Sequence, residues 1–555
     1  MRRIVIGRRQ LCQAALWASL GLAACSTGGT SQTSSQKSGE IDTSRFIASV
    51  IDEPDTVDFQ CSTIHYTVAL NAFDRLVETK ARRDGSVGID PSLAESWEVS
   101  DDGLDYTFHL RKDVTFSDGT PLTSSDVLYT FTRLLTHPKS CNGDIVRDIL
   151  GASRLEKGET DKLEGFRIID DLNFVITLEQ PFAAFLACLC MPGASILSEK
   201  STKEAGERFG LEPECTIGTG PFVFAKWIPG DRLLLTTNPN YWAGKKVESE
   251  GLDLSFAYEP QELGALFDNG ELDILNLDSF GDLSEFYLHG DIYQDRLHKA
   301  QHVGIDYIAL NESIQPLGDV RVRKALQLAL NRQTLLDAIY DGAGKVEHGI
   351  YPHGLLGFNP DLAAIPYDPA QARELLTQAG VGDGFDLDVC LSSTCTQRQH
   401  QMINLAISMW EEVGVRARLS ILPDEEFMEK RKAGMIPCFT ASWAADYDDP
   451  DNFIYTFFGT RENARFRSLC YENEEVMARV RAARSIMDEQ VRVAEYRDLE
   501  RIIVQDEAAW IPLFSKERTF LVSDRIGNFT VGWNGWFETS YKYMSVKRPR
   551  GTEGA

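Results

Sequence analysis

No stretch of this 555-residue chain is apolar for long enough to cross a bilayer as a helix, which takes about 20 residues. The nearest candidates, 11–22 and 182–192, are both too short. Common catalytic signatures are missing as well. There is no Gly-x-Ser-x-Gly elbow of a serine hydrolase, no His-Glu-x-x-His zinc motif and no Gly-Lys-Ser/Thr of a phosphate loop. His298 and His302 have helix-compatible spacing but no accompanying glutamate, so no metal site is expected there. Positive charge is scarce: 56 Lys and Arg against 83 Asp and Glu leave a formal charge of −27. So acidic a body argues against nucleic acid and against wide contact with anionic lipid. Cysteine pairing is limited by number. Setting aside Cys12 and Cys25, nine of the eleven cysteines remain, and an odd count leaves one thiol over. Cys390 with Cys395, and Cys141 with Cys215, are the neighbours to consider.

What the chain does contain starts at its N-terminus. Arg2, Arg3, Arg8 and Arg9 precede the apolar run 11–22 and then the small residues Ala23 and Ala24, the three parts of a secretory leader. Leu22-Ala23-Ala24-Cys25 resembles the lipobox of bacterial lipoproteins. That resemblance implies a signal peptide over 1–24 and acylation of Cys25, which would hold the chain on the lipid bilayer; the alternative is an ordinary leader with an incidental cysteine. Gly7-Arg8-Arg9-Gln10-Leu11 also looks like a twin-arginine signal, so the export route stays open. Residues 25–40, nearly all Ser, Thr, Gly, Gln and Lys, read as a flexible tether.

Beyond residue 41 the pattern is of alternating strands and helices. Strands at 97–99 and 106–110 flank the turn Ser100-Asp101-Asp102-Gly103, a hairpin. Thr123-Ser124-Ser125-Asp126 is a capping box for a helix with Val127, Leu128, Phe131, Leu134 and Leu135 on one face. A further strand pair is expected within 166–178. Gly218-Thr219-Gly220-Pro221-Phe222 reads as a turn into strands at 222–227 and 233–237. Long helices are expected over 319–340 and 474–505, with others at 368–379, 397–413 and 424–433. Strands at 385–390 and 416–421 lie between them. Such an order gives α/β layers around a parallel or mixed sheet.

Six runs carry a family resemblance: Leu93-Ala94-Glu95-Ser96-Trp97; Tyr106-Thr107-Phe108-His109-Leu110-Arg111 with Asp118-Gly119-Thr120-Pro121-Leu122; Gly218 to Phe222; Asn238-Pro239-Asn240-Tyr241-Trp242; Asp319-Val320-Arg321-Val322-Arg323-Lys324-Ala325-Leu326; and Ala445-Asp446-Tyr447-Asp448-Asp449-Pro450-Asp451-Asn452-Phe453. In this order, over about 42–546, the chain resembles the family 5 extracellular solute-binding proteins of ABC importers, the oligopeptide- and dipeptide-binding group. The resemblance implies a two-lobed α/β periplasmic-binding fold. Lobe I would span 41–310 with an inserted subdomain at about 91–216, lobe II 311–519, with a return to lobe I over 520–546 and a tail at 547–555. A ligand would lie in the cleft between lobes, and closure around it would be read by an ABC permease in the membrane.

The acidic run after Trp443 holds Asp446, Asp448, Asp449 and Asp451. On residues alone it reads as a solvated loop. A calcium loop is disfavoured, because Pro450 and Phe453 take ligand positions and the required glycine is missing. The resemblance implies more: the Asp of a Trp-x-x-Asp pattern, here Asp446, pairs with a peptide's α-ammonium. Trp443 would wall that site or else belong to the core, Tyr447 would border it, and Arg398 is the candidate partner for a carboxylate or else a surface arginine. The expected function is a monomeric, lipid-anchored receptor on the outer face of the cytoplasmic membrane. It would hand peptides to an importer, with no catalysis and no cofactor. Other solutes of the same fold, such as a metal chelate, haem, an oligosaccharide or an opine, remain alternatives, as more distantly does a secreted peptidase.

Overall fold

The computed structural model describes residues 44–547, apart from 51, 64, 82–86, 245–247, 257–258, 280–283 and 532–539. The leader, Cys25, the tether and the tail beyond 547 lie outside the described residues.

One strand organises the molecule. Trp510–Val522 is 13 residues long and almost wholly buried. Its first half pairs antiparallel with Gly304–Leu310, and its second half with Ile274–Asn276 and Leu297–Gln301. It thereby joins two sets of strands into one twelve-stranded mixed sheet. On the lobe I side lie Ile274–Asn276, Phe46–Ser49, Gly251–Ser255, Arg232–Thr237 and Phe222–Ile228. On the lobe II side lie Gly304–Leu310, Cys438–Ala444, Asp386–Ser392 and Arg416–Leu422. The chain also crosses at 301–304, where Leu297–Gln301 gives way to Gly304–Leu310. Gly304–Leu310 pairs on one side with Cys438–Ala444 and on the other with the first half of Trp510–Val522.

A separate antiparallel sheet, in the order Ala94–Val99, Asp105–Leu110, Asn173–Thr177, Phe166–Ile168, stands on the lobe I side. It has its own core, in which Phe108 and Phe174 stack at 5.3 Å and Phe131 of the helix Ser124–Thr136 packs beside them. The capping box forms as read: the Thr123 N–H donates to Asp126 Oδ2 at 2.8 Å. The glycine turn is likewise a turn, and its glycines are compelled by a close approach. A Cβ on Gly218 would lie 2.0 Å from the Ala72 carbonyl oxygen, and one on Gly220 2.6 Å from the Phe73 nitrogen. Asn238 pins the same turn, its Nδ2 donating to the Gly220 carbonyl at 2.9 Å.

Three readings change. The helix expected over 319–340 is two, Val320–Leu328 and Arg332–Tyr340, because the Asn331 side chain accepts from the Thr334 N–H at 3.1 Å and starts a new helix. The helix over 474–505 divides likewise into Glu474–Ala483 and Glu489–Arg501, with Asp488 as the second cap. His298 lies on the strand Leu297–Gln301, not on a helix, with its ring against Phe529 at 5.0 Å. The nine cysteines from Cys61 to Cys470 are all free thiols, including Cys390, Cys395, Cys141 and Cys215.

Candidate functional site

The site is built at the end of the strand Cys438–Ala444. Alternation along this strand sends Phe439, Ala441 and Trp443 into the core that holds Phe453, Phe457 and Trp510, and Cys438 into the core on the other face. The Trp443 indole meets Phe457 edge-on at 5.4 Å. The strand stops where the buried Ala445 donates its N–H to the Val303 carbonyl at 2.8 Å, and the acidic run follows.

The four carboxylates of that run have four different environments. Asp451, 2% exposed, pairs with Arg484 at 3.2 Å and accepts from the hydroxyls of Tyr496 (3.1 Å) and Tyr447 (3.2 Å). Asp449 is equally buried and forms an ion pair with Arg492. Asp448 accepts the Leu356 N–H at 2.7 Å. Asp446, half-buried, accepts one hydrogen bond, from Asn452 Nδ2 at 3.0 Å, and forms no ion pair among the described residues. The run is therefore not a solvated loop: two of its acids are internal ties to arginines, Asp448 is held by a backbone N–H, and neither Asp446 nor Asp448 has an ion-pair partner among the described residues.

Asn452, in the first turn of the helix Asp451–Phe458, holds this arrangement. Its Oδ1 accepts from the Asp446 N–H at 3.0 Å and from the Trp443 indole N–H at 3.3 Å. Burial pushes the Asp446 carboxyl up to about 6. The Asn452 hydrogen bond opposes that shift, Asp144 adds to it from the short turn Gly143–Val146 on the lobe I side, and Arg467 works against it. The Arg467 guanidinium lies over the Trp443 ring at 4.4 Å and over Phe457 at 5.2 Å, with no ion pair among the described residues.

Trp443, Asp446 and Tyr447 thus come together in one stretch of chain, with the Tyr447 ring packed on the core of the lobe I subdomain and its hydroxyl donating to Asp451. Arg398 stands apart. At the start of the helix Gln397–Glu412, it donates to the Asp278 carbonyl oxygen on the lobe I side at 2.9 Å and lies over the Tyr340 ring at 5.1 Å. Asp144, Asn452 and Arg467 were not among the sequence candidates. Asn452 is within a quoted run, whereas Asp144 and Arg467 carry no motif at all. Among the described residues, Glu285, His289 and Asp341 have metal-capable spacing, and all three are exposed.

The sequence profile described as bacterial extracellular solute-binding proteins, family 5 middle, matches residues 88–465. The chain belongs to this family. Heme-binding protein A of Haemophilus influenzae is 30% identical, over 80% of this chain and 81% of that protein. The dipeptide-binding protein of Escherichia coli is 29% identical, over 81% and 84% of the two. Among solved structures, HbpA2 from Haemophilus parasuis superposes with a TM-score of 0.76 at 25% identity, covering 91% of this chain and all of that one. The family's two-lobed fold is the fold described above. Membership implies a binding rather than a catalytic role.

Proposed function

We propose that this protein captures short peptides between its lobes and delivers them to an ABC importer, with Asp446 receiving the ligand's α-ammonium. The observation that carries the reading is Asp446 itself: a desolvated carboxylate, oriented by Asn452, with no cation of its own. An ammonium would supply the missing charge through a short, charge-assisted hydrogen bond, and amine capture is a recurrent way of holding peptides. Trp443 forms one wall, and Tyr447 ties the loop to the lobe I subdomain. Relatives named for dipeptides and for di- and tripeptides support this substrate class. Acylated Cys25 would anchor the chain on the outer face of the membrane.

A second reading has one specific support, the relative named for haem. Mass spectrometry of small molecules that co-purify under native conditions, followed by titration with mixed tripeptides and with haemin, separates the two. Co-purified peptides and peptide-induced heat are expected. Haemin binding with no peptide response would replace the first reading by the second.

A further inference from the structure

Cys61 and Cys141, far apart in sequence, are held side by side by their backbones. The Cys141 N–H donates to the Gln60 carbonyl at 3.0 Å, and the Cys141 sulfur lies 3.7 Å from the same oxygen. The next residue, Asn142, locks this arrangement. Its Nδ2 donates to the carbonyls of Phe59 (2.9 Å) and Ser62 (2.8 Å), and its Oδ1 accepts from the Tyr66 hydroxyl at 3.1 Å. Such a backbone bond leaves the Cα atoms of Cys61 and Cys141 within about 7 Å of each other. A disulfide takes a Cα separation of about 4.4–6.8 Å. Cys61 is half-buried and Cys141 exposed. Cys215, the partner suggested by sequence, instead sets its thiol against Glu212 at 3.7 Å. Cys390 and Cys438 are on paired strands, but their side chains enter cores on opposite faces.

The surroundings supply a base. The Cys61 sulfur is 3.3 Å from His137 Nδ1 and 3.3 Å from Asp58 Oδ2. The Lys139 N–H donates to the same Nδ1 at 3.4 Å, which makes that nitrogen the acceptor of the ring. Burial, and then Arg133, hold His137 below the usual histidine range, so the ring is neutral at neutral pH. Asp58 is already engaged by Arg133 at 2.6 Å. Burial, and then the Asp58 carboxylate, push the Cys61 thiol up to about 12. Cys61 is thus a poor first nucleophile, and the exposed Cys141 is the thiol a reagent reaches. Directly after Cys141 comes the turn Gly143–Val146 with Asp144, which acts on Asp446, and then Asp148, which meets Arg484 at 3.1 Å.

We propose that Cys61 and Cys141 are a modification site: a dithiol that a small disulfide of the oxidised-glutathione class closes into a covalent staple between segments 57–62 and 141–146. The Cys141 thiolate attacks one sulfur of the reagent and expels one thiolate, which leaves a mixed disulfide on Cys141. The Cys61 thiol then gives its proton to His137 Nδ1, and its sulfur attacks Cys141 Sγ and expels the second thiolate. Two protein thiols are oxidised, one reagent disulfide is reduced, and both protons end on the two released thiols. An exported chain meets such reagents in an oxidising compartment. The staple fixes the start of the turn that carries Asp144, and closing so long a loop stabilises the fold.

The test treats the reduced full chain with oxidised glutathione, alkylates the remaining thiols after denaturation, and maps the peptides by mass spectrometry. The wild type should lose two hydrogens without keeping glutathione, show a linked peptide joining Cys61 to Cys141, and have two fewer thiols to alkylate. Its melting midpoint should rise by a few degrees and return on reduction. Cys61→Ser should stop at a glutathione adduct on Cys141, and Cys141→Ser should leave Cys61 free to alkylate. The map of the wild type decides the matter even where a variant fails to fold. Glutathione retained on Cys141 beside an alkylated Cys61, full alkylation of both, or a link from either to another cysteine overturns the proposal.

Discussion

Arg484 and Asp148 face each other across the two lobes, Nη2 to Oδ2, at 3.1 Å. The same guanidinium holds the buried Asp451 at 3.2 Å and lies over the rings of Phe182 (4.2 Å) and Tyr455 (4.1 Å). The Arg484 backbone carbonyl accepts the Ala183 N–H at 3.0 Å. One residue therefore ties the acidic loop internally and fastens it to the lobe I subdomain.

Those two duties are separable. The Asp148 side chain is 34% exposed and that of Arg484 18%, so their pair is partly screened; Asp148→Asn should cost roughly 1 kcal/mol of closure, a loss of about fivefold in ligand affinity. Arg484→Ala also strands Asp451, whose side chain is 2% exposed, and should cost roughly 3–5 kcal/mol of stability. Calorimetric affinities and melting midpoints of both variants check this. Equal falls in midpoint would refute the division.

Protonation of Asp446 should set the acid limit of binding. Its carboxyl stands at about 6, raised from 3.8 by burial. An ammonium pairs only with the ionised form, so affinity should be flat above pH 6 and fall below it, by up to about tenfold per unit. Folding stability runs the opposite way. Because the folded state binds the proton more tightly, this group's contribution is full below pH 3.8 and is lost as pH rises through about 6. Affinity measured from pH 5 to 8 should show the acid loss in the wild type and a flatter profile in Asp446→Asn.

The turn at Gly218 and Gly220 should tolerate no side chain. Either glycine replaced by alanine drives a Cβ into the backbone at Ala72 and Phe73, an overpacking that costs roughly 1–3 kcal/mol or more. Thermal melting should show a clear drop for both variants, against little change for alanine at Ser393, which is exposed.

Much of this was legible because it is local. The hairpin at 97–110 and the capping box at Thr123 depend on residues within a few positions, and the family runs fixed the fold class. The breaks at Asn331 and Asp488 were hidden because apolar residues continue across them, and only the side-chain caps reveal two helices. The acidic run misled for a different reason. Asp449 and Asp451 find their cations at Arg492 and Arg484, more than 30 residues onward, and no short pattern announces such partners. Arg467 carried no signal, because a guanidinium without an ion-pair partner is visible only once the fold has placed it.

The lipoprotein reading rests on the sequence of residues 22–25 alone. Cys25→Ala should release the protein from membranes or leave its leader uncut, as membrane fractionation and intact-mass measurement will record. A variant processed and anchored like the wild type would remove the lipoprotein reading.

The claim at the centre of the account is that Asp446 holds a ligand's amine. A calorimetric cycle tests it, pairing the wild type and Asp446→Asn with a tripeptide pool and the same pool N-acetylated. Loss of the charge on either side should cost roughly 2–5 kcal/mol. Acetylation should then cost the variant little more, because both changes remove one interaction. Two losses that simply add would contradict the assignment and leave the Asp446 carboxylate without the role given to it here.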